Sequence, residues 1–329
     1  MADGVFFVGL PRQCEWYARR AIEIAEREGL AASAYVWHIH ALSLAQRAAW
    51  TEAKAANARA QALTLELGDR GLEAEVLTTR ISIELCAGDF ASAARGWRHE
   101  RDLAERNDSA ALKCWSYIDE TDTWLGAGDT AKASQALAGA LAIPLSPTDI
   151  GTHLDRLRST AVTRCREGRD EEAVRAAEEV FETLRRNPPT GYQWAEDFAA
   201  VVEVYLDLLA RGGAYTDANR AMLKERAERG HRLLARFART YWNVRPRALL
   251  LLGMTRRLQG RRREARRAFE KAARIASEMP MPFELARAQT ELAREADGDE
   301  RRRLLSESAS IFKTLGATYF LTDDSSTPS

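Results

Sequence analysis

Three stretches of the chain repeat at a constant interval: Gly88–Trp97 (GDFASAARGW), Gly128–Leu137 (GDTAKASQAL) and Gly168–Ala177 (GRDEEAVRAA). Each opens on a glycine with an aspartate close behind it, and successive glycines lie 40 residues apart. Segments of about 15–20 residues rich in Ala, Leu, Arg and Glu lie between such breaks, and this pattern is typical of helices. The sequence therefore predicts a helical unit that recurs every 40 residues.

The same step holds inside the units. Small residues recur at Ala53, Ala93, Ala133 and Ala173. Four residues later come Asn57, Trp97, Leu137 and Ala177, and seven residues later come Ala60, Glu100, Ala140 and Val180. Positions separated by four and seven lie on one face of a helix. We therefore expect units of two antiparallel helices that stack and bury these faces against each other.

These residues resemble the tetratricopeptide repeat, in which aromatic and small residues recur on two helices. The clearest copy has Leu249, Leu252 and Gly253 on the first helix and Ala265, Phe269 and Ala272 on the second, with Gly260 between them. Two further copies have Trp37, Ala41, Leu44, Ala53 and Ala60, and Tyr117, Trp124, Gly128, Ala133, Leu137 and Ala140. The resemblance implies an all-α, right-handed superhelical solenoid whose first helices line the concave face.

A second resemblance covers residues 30–317. It is to the C-terminal repeat region of bacterial signalling ATPases that carry an adenylate/guanylate cyclase or Ser/Thr kinase domain. It rests on six segments: Asn187–Tyr192, Ala199–Leu206, Arg245–Leu249, Gly260–Ala272, Met279–Ala293 and Leu304–Gly316. The resemblance implies a role in cytoplasmic signal transduction, and its motifs mark repeats rather than an active site.

One solenoid is predicted over residues 1–316, followed by a tail at 317–329. The predicted repeats lie near 31–69, 71–106, 110–144, 150–186, 190–240 and 244–278, with terminal helices at 281–316. The matching positions Ala173 and Ala265 lie 92 residues apart, so the unit at 190–240 is expected to hold a helical insertion. The helix at 13–27 lacks a full first helix before it. Either Val5–Leu10 caps it or the chain is a piece of something longer.

Composition favours a cytoplasmic protein. The four cysteines lie far apart without a CxxC motif, and no apolar run approaches the ~20 residues that span a bilayer, so we expect no membrane partner. Residues 1–200 carry 23 basic and 31 acidic side chains, whereas residues 201–329 carry 25 and 17. The basic excess is densest in Arg211–Arg274. It is interpreted as a solvated Arg-rich helix face, or as a surface for docking an acidic partner or an acidic domain of the same molecule, including self-association between the acidic and basic halves. The acidic half makes nucleic acid an unlikely partner.

Motifs for catalysis are missing from the sequence. The chain has no GxxxxGK[ST], GxGxxG, GxSxG, HExxH or HRD motif, so we expect no enzyme and no cofactor. His38 and His40 are two positions apart, which places them on different sides of a helix and argues against a metal site. Asp119-Glu120-Thr121-Asp122 is interpreted as a solvated polar face or as a patch that recognises a basic peptide.

The resemblance to tetratricopeptide repeats also identifies candidate partner-binding residues, since certain first-helix positions of that family face the groove. Trp115 is set apart because it occupies a position that the core does not need. The predicted partner-binding residues are Tyr35, His38, Glu75, Trp115, Ile118, Asp119, Asp122, Asp155, Arg158 and Arg247. They predict an acidic groove with one aromatic anchor, suited to a basic or mixed-charge peptide.

Three functions remain open on these residues. The first is a non-catalytic scaffold that binds a peptide or partner domain in the concave groove. The second is a ligand- or peptide-sensing regulatory arm of a signalling ATPase or transcription regulator. The third is an unrecognised enzyme that uses the solenoid cavity.

Overall fold

The computed structural model describes residues 11–28, 33–187, 191–212 and 216–321, which form α-helices and two short 3₁₀ turns without any strand. The all-α solenoid predicted from the 40-residue step is confirmed. Fifteen α-helices lie within these ranges. They are α1 Pro11–Glu28, α2 Ser33–Ala45, α3 Trp50–Leu67, α4 Arg70–Cys86, α5 Phe90–Arg106, α6 Ala110–Ala127, α7 Thr130–Ala142, α8 Ile150–Arg166, α9 Asp170–Arg186, α10 Tyr192–Arg211, α11 Asp217–Thr240, α12 Arg245–Leu258, α13 Arg262–Glu278, α14 Pro282–Ala293 and α15 Gly298–Leu315.

The repeated Gly-Asp breaks are tight turns between paired helices. Gly88 and Gly128 have φ angles of 79° and 91°, a left-handed conformation that ends a helix at little cost only for glycine. The next residue then caps the following helix. The carboxylate of Asp89 accepts a hydrogen bond from the Ser92 amide at 3.1 Å, and that of Asp129 accepts one from the Lys132 amide at 3.0 Å. Each two-residue break thus reverses the chain.

All residues of the predicted 40-residue register are buried. Ala53, Ala93, Ala133 and Ala173 have no exposed surface, and the residues four and seven positions later are also buried in all four units. The small residues let helices cross closely. Gly253 of α12 lies at such a crossing. Even one added methyl group there would overlap the ring of the fully buried Phe269 in α13.

The helices form two layers, because each first helix of a pair contacts the first helix of the next pair. These first helices are α2, α4, α6, α8, α10, α12 and α14, and the second helices are α3, α5, α7, α9, α11, α13 and α15. Contacts join every consecutive pair of first helices, whereas contacts of similar extent are absent between second helices in the described ranges. The layer of first helices is therefore the more compact one, so the array curves with the first helices inside.

The array curves until its later units contact its earlier ones. The amides of Trp242 and Asn243 donate to the Gln46 carbonyl at 2.8 and 3.1 Å. Further along, the rings of Phe90 and Phe283 pack edge to face with centroids 5.5 Å apart. The Thr318 hydroxyl donates to the Ala127 carbonyl at 2.6 Å. These contacts close the curve around its concave side.

The helix bounds can be set beside the predicted repeats. Each predicted window from 31–69 to 244–278 contains two helices, as do the terminal residues 281–316. The unit at 190–240 is enlarged by longer helices rather than by an additional one, since α10 has 20 residues and α11 has 24. The first residues of the predicted tail at 317–329 are part of the fold, because Ala317 is fully buried and Thr318–Phe320 forms a 3₁₀ turn. Val5–Leu10, the suggested cap, lies outside the described residues. In the described part of the chain, no helix combines the length and the apolar character needed to cross a bilayer.

Candidate binding cavity

The concave side of the solenoid encloses one large cavity of about 1070 Å³. All seven first helices contribute side chains to it, and the loops before α8, α10 and α14 add a few more. Among the helical lining residues, only Phe90 and Phe312 come from second helices. The curvature of the fold thus brings first-helix residues from widely separated parts of the chain to one surface.

Nine of the ten predicted partner-binding residues line this cavity. They are His38, Glu75, Trp115, Ile118, Asp119, Asp122, Asp155, Arg158 and Arg247. The exception is Tyr35, which is 42% exposed and lies outside the lining, with its ring 6.2 Å from that of His38. It occupies the first turn of α2. His40, the other histidine of the pair, packs against Trp37 at a ring separation of 5.9 Å.

The acidic run at 119–122 is neither a solvated face nor a single patch. Asp119 and Asp122 line the cavity, whereas the Glu120 carboxylate accepts a hydrogen bond from Arg101 of α5 at 2.6 Å. Thr121 is fully buried, and its hydroxyl donates to the Tyr117 carbonyl. The interpretation as a solvated polar face is wrong, because three consecutive residues of a packed helix point to three different surroundings.

Arg158 is the centre of a buried charge cluster that joins α6, α8 and α10. Its guanidinium forms ion pairs with Asp122 and with Asp197, the latter at 2.9 Å. Burial disfavours the charged guanidinium, but the attraction of Asp122 and Asp197 outweighs it and raises the pKa of Arg158. Asp155 adds a further carboxylate beside Asp197. Burial, together with the neighbouring Asp197, raises the pKa of Asp155 well above its usual value.

A second pair of carboxyl groups lies between α5 and α6. Glu100 is fully buried and accepts a hydrogen bond from the Thr78 hydroxyl, and Asp119 lies beside it. Burial raises the pKa of Glu100 to about 7, although its interactions with Thr78 and Asp119 oppose the increase. Burial and the Glu100 carboxylate together raise the pKa of Asp119 well above its usual value. Two carboxyl groups that interact in this way do not ionise independently.

A third cluster crosses from α10 to α12 and α14. Glu203 accepts hydrogen bonds from Arg247 at 2.8 Å and from Arg287, whose side chain is 8% exposed. Burial would raise the pKa of Glu203, but these two guanidiniums outweigh it and lower the pKa to about 2. Glu196, 3.4 Å from Arg247, has its pKa raised to about 7, chiefly by burial.

Glu284 lies beside this third cluster and differs from every carboxylate in it. It is 7% exposed and lines the cavity. Its Oε2 atom is buried without a hydrogen-bond partner, and no ion pair within 4.0 Å joins it to the described residues. A buried carboxylate costs free energy unless a donor or cation satisfies it. Oε2 of Glu284 is therefore an acceptor without a direct partner among the described residues at the cavity wall, and Arg247 and Arg287 attract its charge only from beyond ion-pair distance.

Trp115 joins the cavity wall to the next repeat. Its indole Nε1 donates to the Thr152 hydroxyl at 2.8 Å, so α8 fixes the ring. The side chain also packs against a small apolar core formed by residues such as Leu77 and Leu112. The two roles considered for this residue, cavity lining and packing on the adjacent unit, are combined in one side chain.

The C-terminal ends of the first helices form a different wall. Arg166 stacks on Tyr319 with its guanidinium carbon 3.9 Å from the ring centroid, and it donates to the Leu125 carbonyl. Burial lowers its pKa, and no carboxylate of the described residues lies within ion-pair distance. Arg257 pairs with Glu291 on the same wall. The first helices run parallel, so the cavity is acidic towards their N-terminal ends and arginine-rich towards their C-terminal ends.

Several lining residues escaped the sequence analysis because they lie on α10 and α14, where the 40-residue step fails. A signal was nevertheless present. Glu196, Glu203 and Asp207 follow one another at intervals of seven and four in an otherwise apolar helix, which places three carboxylates on one face. Glu100 also carried a signal, since it stands at a register position where the other units have Ala or Val.

The arginine-rich segment Arg211–Arg274 is partly neutralised within the chain. Arg226 pairs with Glu178 at 2.9 Å, Arg247 with Glu203 at 2.8 Å, and Arg266 with Glu300 at 2.6 Å. Of these partners only Glu178 lies in the acidic half, whereas Glu203 and Glu300 belong to the basic half itself. Self-association between the two halves stays a prediction.

No family model matches the chain, and no curated protein matches it either. The structure itself establishes a tightly packed array of helix pairs that is compatible with the tetratricopeptide class.

Proposed function

We propose that the chain is a non-catalytic interaction module of the tetratricopeptide class that binds an extended segment of a protein partner in its inner cavity. One observation carries the proposal: seven successive first helices face a single cavity of about 1070 Å³. Ligand sites usually measure about 300–1,000 Å³, so this volume suits a short peptide segment better than a folded domain. The resemblance to signalling proteins supports a cytoplasmic setting.

The chemistry of the cavity supports binding rather than catalysis. Its thiols, Cys86 and Cys165, are the nucleophiles that such a site would use. Burial raises the pKa of Cys86 well above its usual value and that of Cys165 to about 12, so both stay protonated and unreactive at neutral pH. The sequence also lacks the motifs of common enzyme classes.

Peptide selection tests the proposal. A display library of random 12-residue peptides is panned against the protein, and the selected peptides are measured by fluorescence anisotropy on two variants. Ala210→Trp adds bulk to an exposed position of the cavity wall, whereas Ala131→Trp adds the same bulk to an exposed position of the second helix α7. We expect Ala210→Trp to weaken binding at least tenfold and Ala131→Trp to leave it unchanged. Equal effects of the two variants would argue against the cavity as the binding surface.

A second candidate is a regulatory arm that senses a small ligand or peptide for a signalling ATPase or transcription regulator. The C-terminal turn favours it, because Tyr319 and Phe320 line the cavity while Thr318 fixes the same turn to α6. A ligand that displaces the turn would pass its signal to whatever follows in the chain. Thermal unfolding with pools of metabolites and peptides separates the candidates, since only a tight small ligand raises the melting temperature in the metabolite pools.

A further inference from the structure

The acidic half of the cavity has more negative charge than the chain neutralises. Nine carboxylates line it: Glu75, Asp119, Asp122, Asp149, Asp155, Glu196, Asp197, Glu203 and Glu284. Three guanidiniums face them, those of Arg158, Arg247 and Arg287. Formally this leaves six negative charges in surplus, from nine minus three. Burial and neighbouring carboxylates raise the pKa of Asp119 and of Asp155, which shows that these carboxylates compete for positive charge.

Glu284 is a buried member of this set that forms no ion pair with any described residue. Each of Asp122, Asp197 and Glu203 contacts a guanidinium, so their charges are already balanced. Glu284 forms no ion pair in the described part of the chain, although it is buried and lines the same cavity. Arg247 and Arg287 attract its charge only from beyond ion-pair distance. A cation at this point would satisfy the carboxylate with a charge-assisted hydrogen bond, which is stronger than one between neutral groups.

We propose that the cavity recognises a cationic nitrogen, an ammonium or guanidinium group of the ligand, which pairs with Glu284 at the acidic half of the cavity. This rests on the proposed function and names the chemistry of its ligand. The remaining carboxylates create a negative potential that draws the cation in, and the low dielectric of a buried site strengthens the pair. The arginine-rich wall at the opposite ends of the first helices repels the same group and fixes the direction in which the ligand enters.

Two sources supply such a nitrogen: the Lys and Arg side chains of a peptide, or a free polyamine. The probes are a capped 12-residue peptide of alternating Ala, Arg, Ala and Lys, and spermidine. A matched neutral peptide carries citrulline for Arg and acetyl-lysine for Lys, and an acidic peptide carries Glu at those positions. Isothermal titration calorimetry measures all four ligands.

Glu284→Gln is the decisive variant, because Glu284 makes no ion pair whose loss would disturb the free protein. Glu66→Gln is its control, since it removes the same charge from an exposed position of the second helix α3, outside the cavity lining. Circular dichroism checks that both variants keep their helix content.

We expect one-to-one binding of a cationic probe, at least tenfold weaker binding by Glu284→Gln and less than a threefold change for Glu66→Gln. The probe that binds identifies the source of the nitrogen. Equal binding of the neutral peptide, an unchanged affinity of Glu284→Gln, or no binding of either cationic probe overturns the inference. The panning experiment is separate from this one. Neutral or acidic peptides whose binding Ala210→Trp blocks would preserve the cavity as the recognition surface while overturning its preference for cations.

Discussion

Single residues set how closely the helices approach each other, and glycines placed against large side chains are the clearest case. A methyl group added to Gly253 would overlap the ring of Phe269, and one added to Gly126 would overlap that of Phe90. Gly96 stands against Ile81 in the same way. Each glycine thus defines a crossing between two helices that no other residue permits without movement.

The first prediction concerns Gly253→Ala. It should lower the free energy of unfolding by about 1–3 kcal/mol, because Phe269 is fully buried and has no space to move into. Gly71→Ala is the matched control, since the nearest atom to its added methyl group is at an ordinary contact distance of 3.5 Å. There the gain in helix propensity should stabilise the protein by about 0.5–1 kcal/mol. Urea unfolding measures both, and destabilisation of equal size would contradict the assigned crossing.

The second prediction concerns the pH dependence caused by Glu100. Its pKa is about 7 in the folded protein, against an ordinary value of 4.5. The folded state therefore holds its proton more tightly, and this stabilisation is fully present below pH 4.5 and is lost as the pH rises through 7. Glu100→Gln removes the effect. Relative to wild type, its free energy of unfolding should rise by on the order of 1–3 kcal/mol between pH 5 and pH 8. Urea unfolding at the two pH values gives the comparison, and a constant difference would mean that Glu100 ionises normally.

At the scale of whole helices, buried ion pairs hold neighbouring first helices in register around the cavity. Arg158 of α8 contacts Asp122 of α6 and Asp197 of α10, and Arg287 of α14 reaches Glu203 of α10. The arrangement leaves little freedom for one unit to slide along the next, because each charge would lose its partner in a low-dielectric space.

The third prediction concerns Arg158→Met, which keeps much of the side-chain length but removes the charge. It should cost about 3–5 kcal/mol, since Asp122 and Asp197 are left buried without a counter-ion. Arg302→Met is the control. Arg302 and its partner Asp299 have side chains that are 77% and 95% exposed, so its loss should change stability by less than about 0.5 kcal/mol. Chemical denaturation of both variants tests this, and similar small effects would show that the cluster at Arg158 contributes no more than a surface pair.

The sequence was sufficient to predict most helices, because their breaks follow a simple physical rule. Gly88 and Gly128 adopt the left-handed turn, the following aspartates cap the next helix, and the 40-residue step carries the register from Ala53 to Ala173. Most of the predicted cavity residues follow from the same register. It could not predict Glu284, since α14 falls outside the step and the curvature that brings it opposite α6 depends on contacts between distant units. Glu203 also lies outside the step, and only its spacing from Glu196 and Asp207 indicated it.

The sequence also could not predict that the residues of the acidic run at 119–122 have different surroundings. Helical spacing places Asp119 and Asp122 on one side and Glu120 on another, but only packing decides what each side meets. Glu120 meets Arg101 of α5, whereas Asp119 meets Glu100. The run looks uniform in sequence, but Glu120 belongs to a half-buried ion pair with Arg101, whereas Asp119 and Asp122 belong to the wall of the cavity.

For the whole molecule, the closing contacts between late and early units give the cavity its enclosed form. Phe283 is central, because its ring packs against Phe90 at 5.5 Å, Phe312 at 6.1 Å and Phe320 at 5.1 Å. These residues come from α5, α15 and the C-terminal turn. Without them the helix pairs would still stack, but only hydrogen bonds such as those to the Gln46 and Ala127 carbonyls would hold the curve closed.

The fourth prediction concerns Phe283→Ala. Removing the ring should destabilise the protein by roughly 2–4 kcal/mol and loosen the closure. Small-angle X-ray scattering should then show a larger radius of gyration, while circular dichroism shows unchanged helix content. Trp16→Ala, at a 62% exposed aromatic residue of α1, should alter neither quantity. An unchanged radius for Phe283→Ala would mean that local stacking alone sets the curvature.

The most direct test of the central claim is to locate a bound peptide on the protein by photo-cross-linking. Benzoylphenylalanine replaces Val162, which lines the cavity, or Leu141, which is 45% exposed on the second helix α7. Each variant is irradiated with a peptide selected by panning, and the cross-linked product is quantified by mass spectrometry. Recognition inside the solenoid predicts a product at position 162 that excess unlabelled peptide abolishes, and none at position 141. Cross-linking at 141 alone would place the peptide on the second helices and contradict the account.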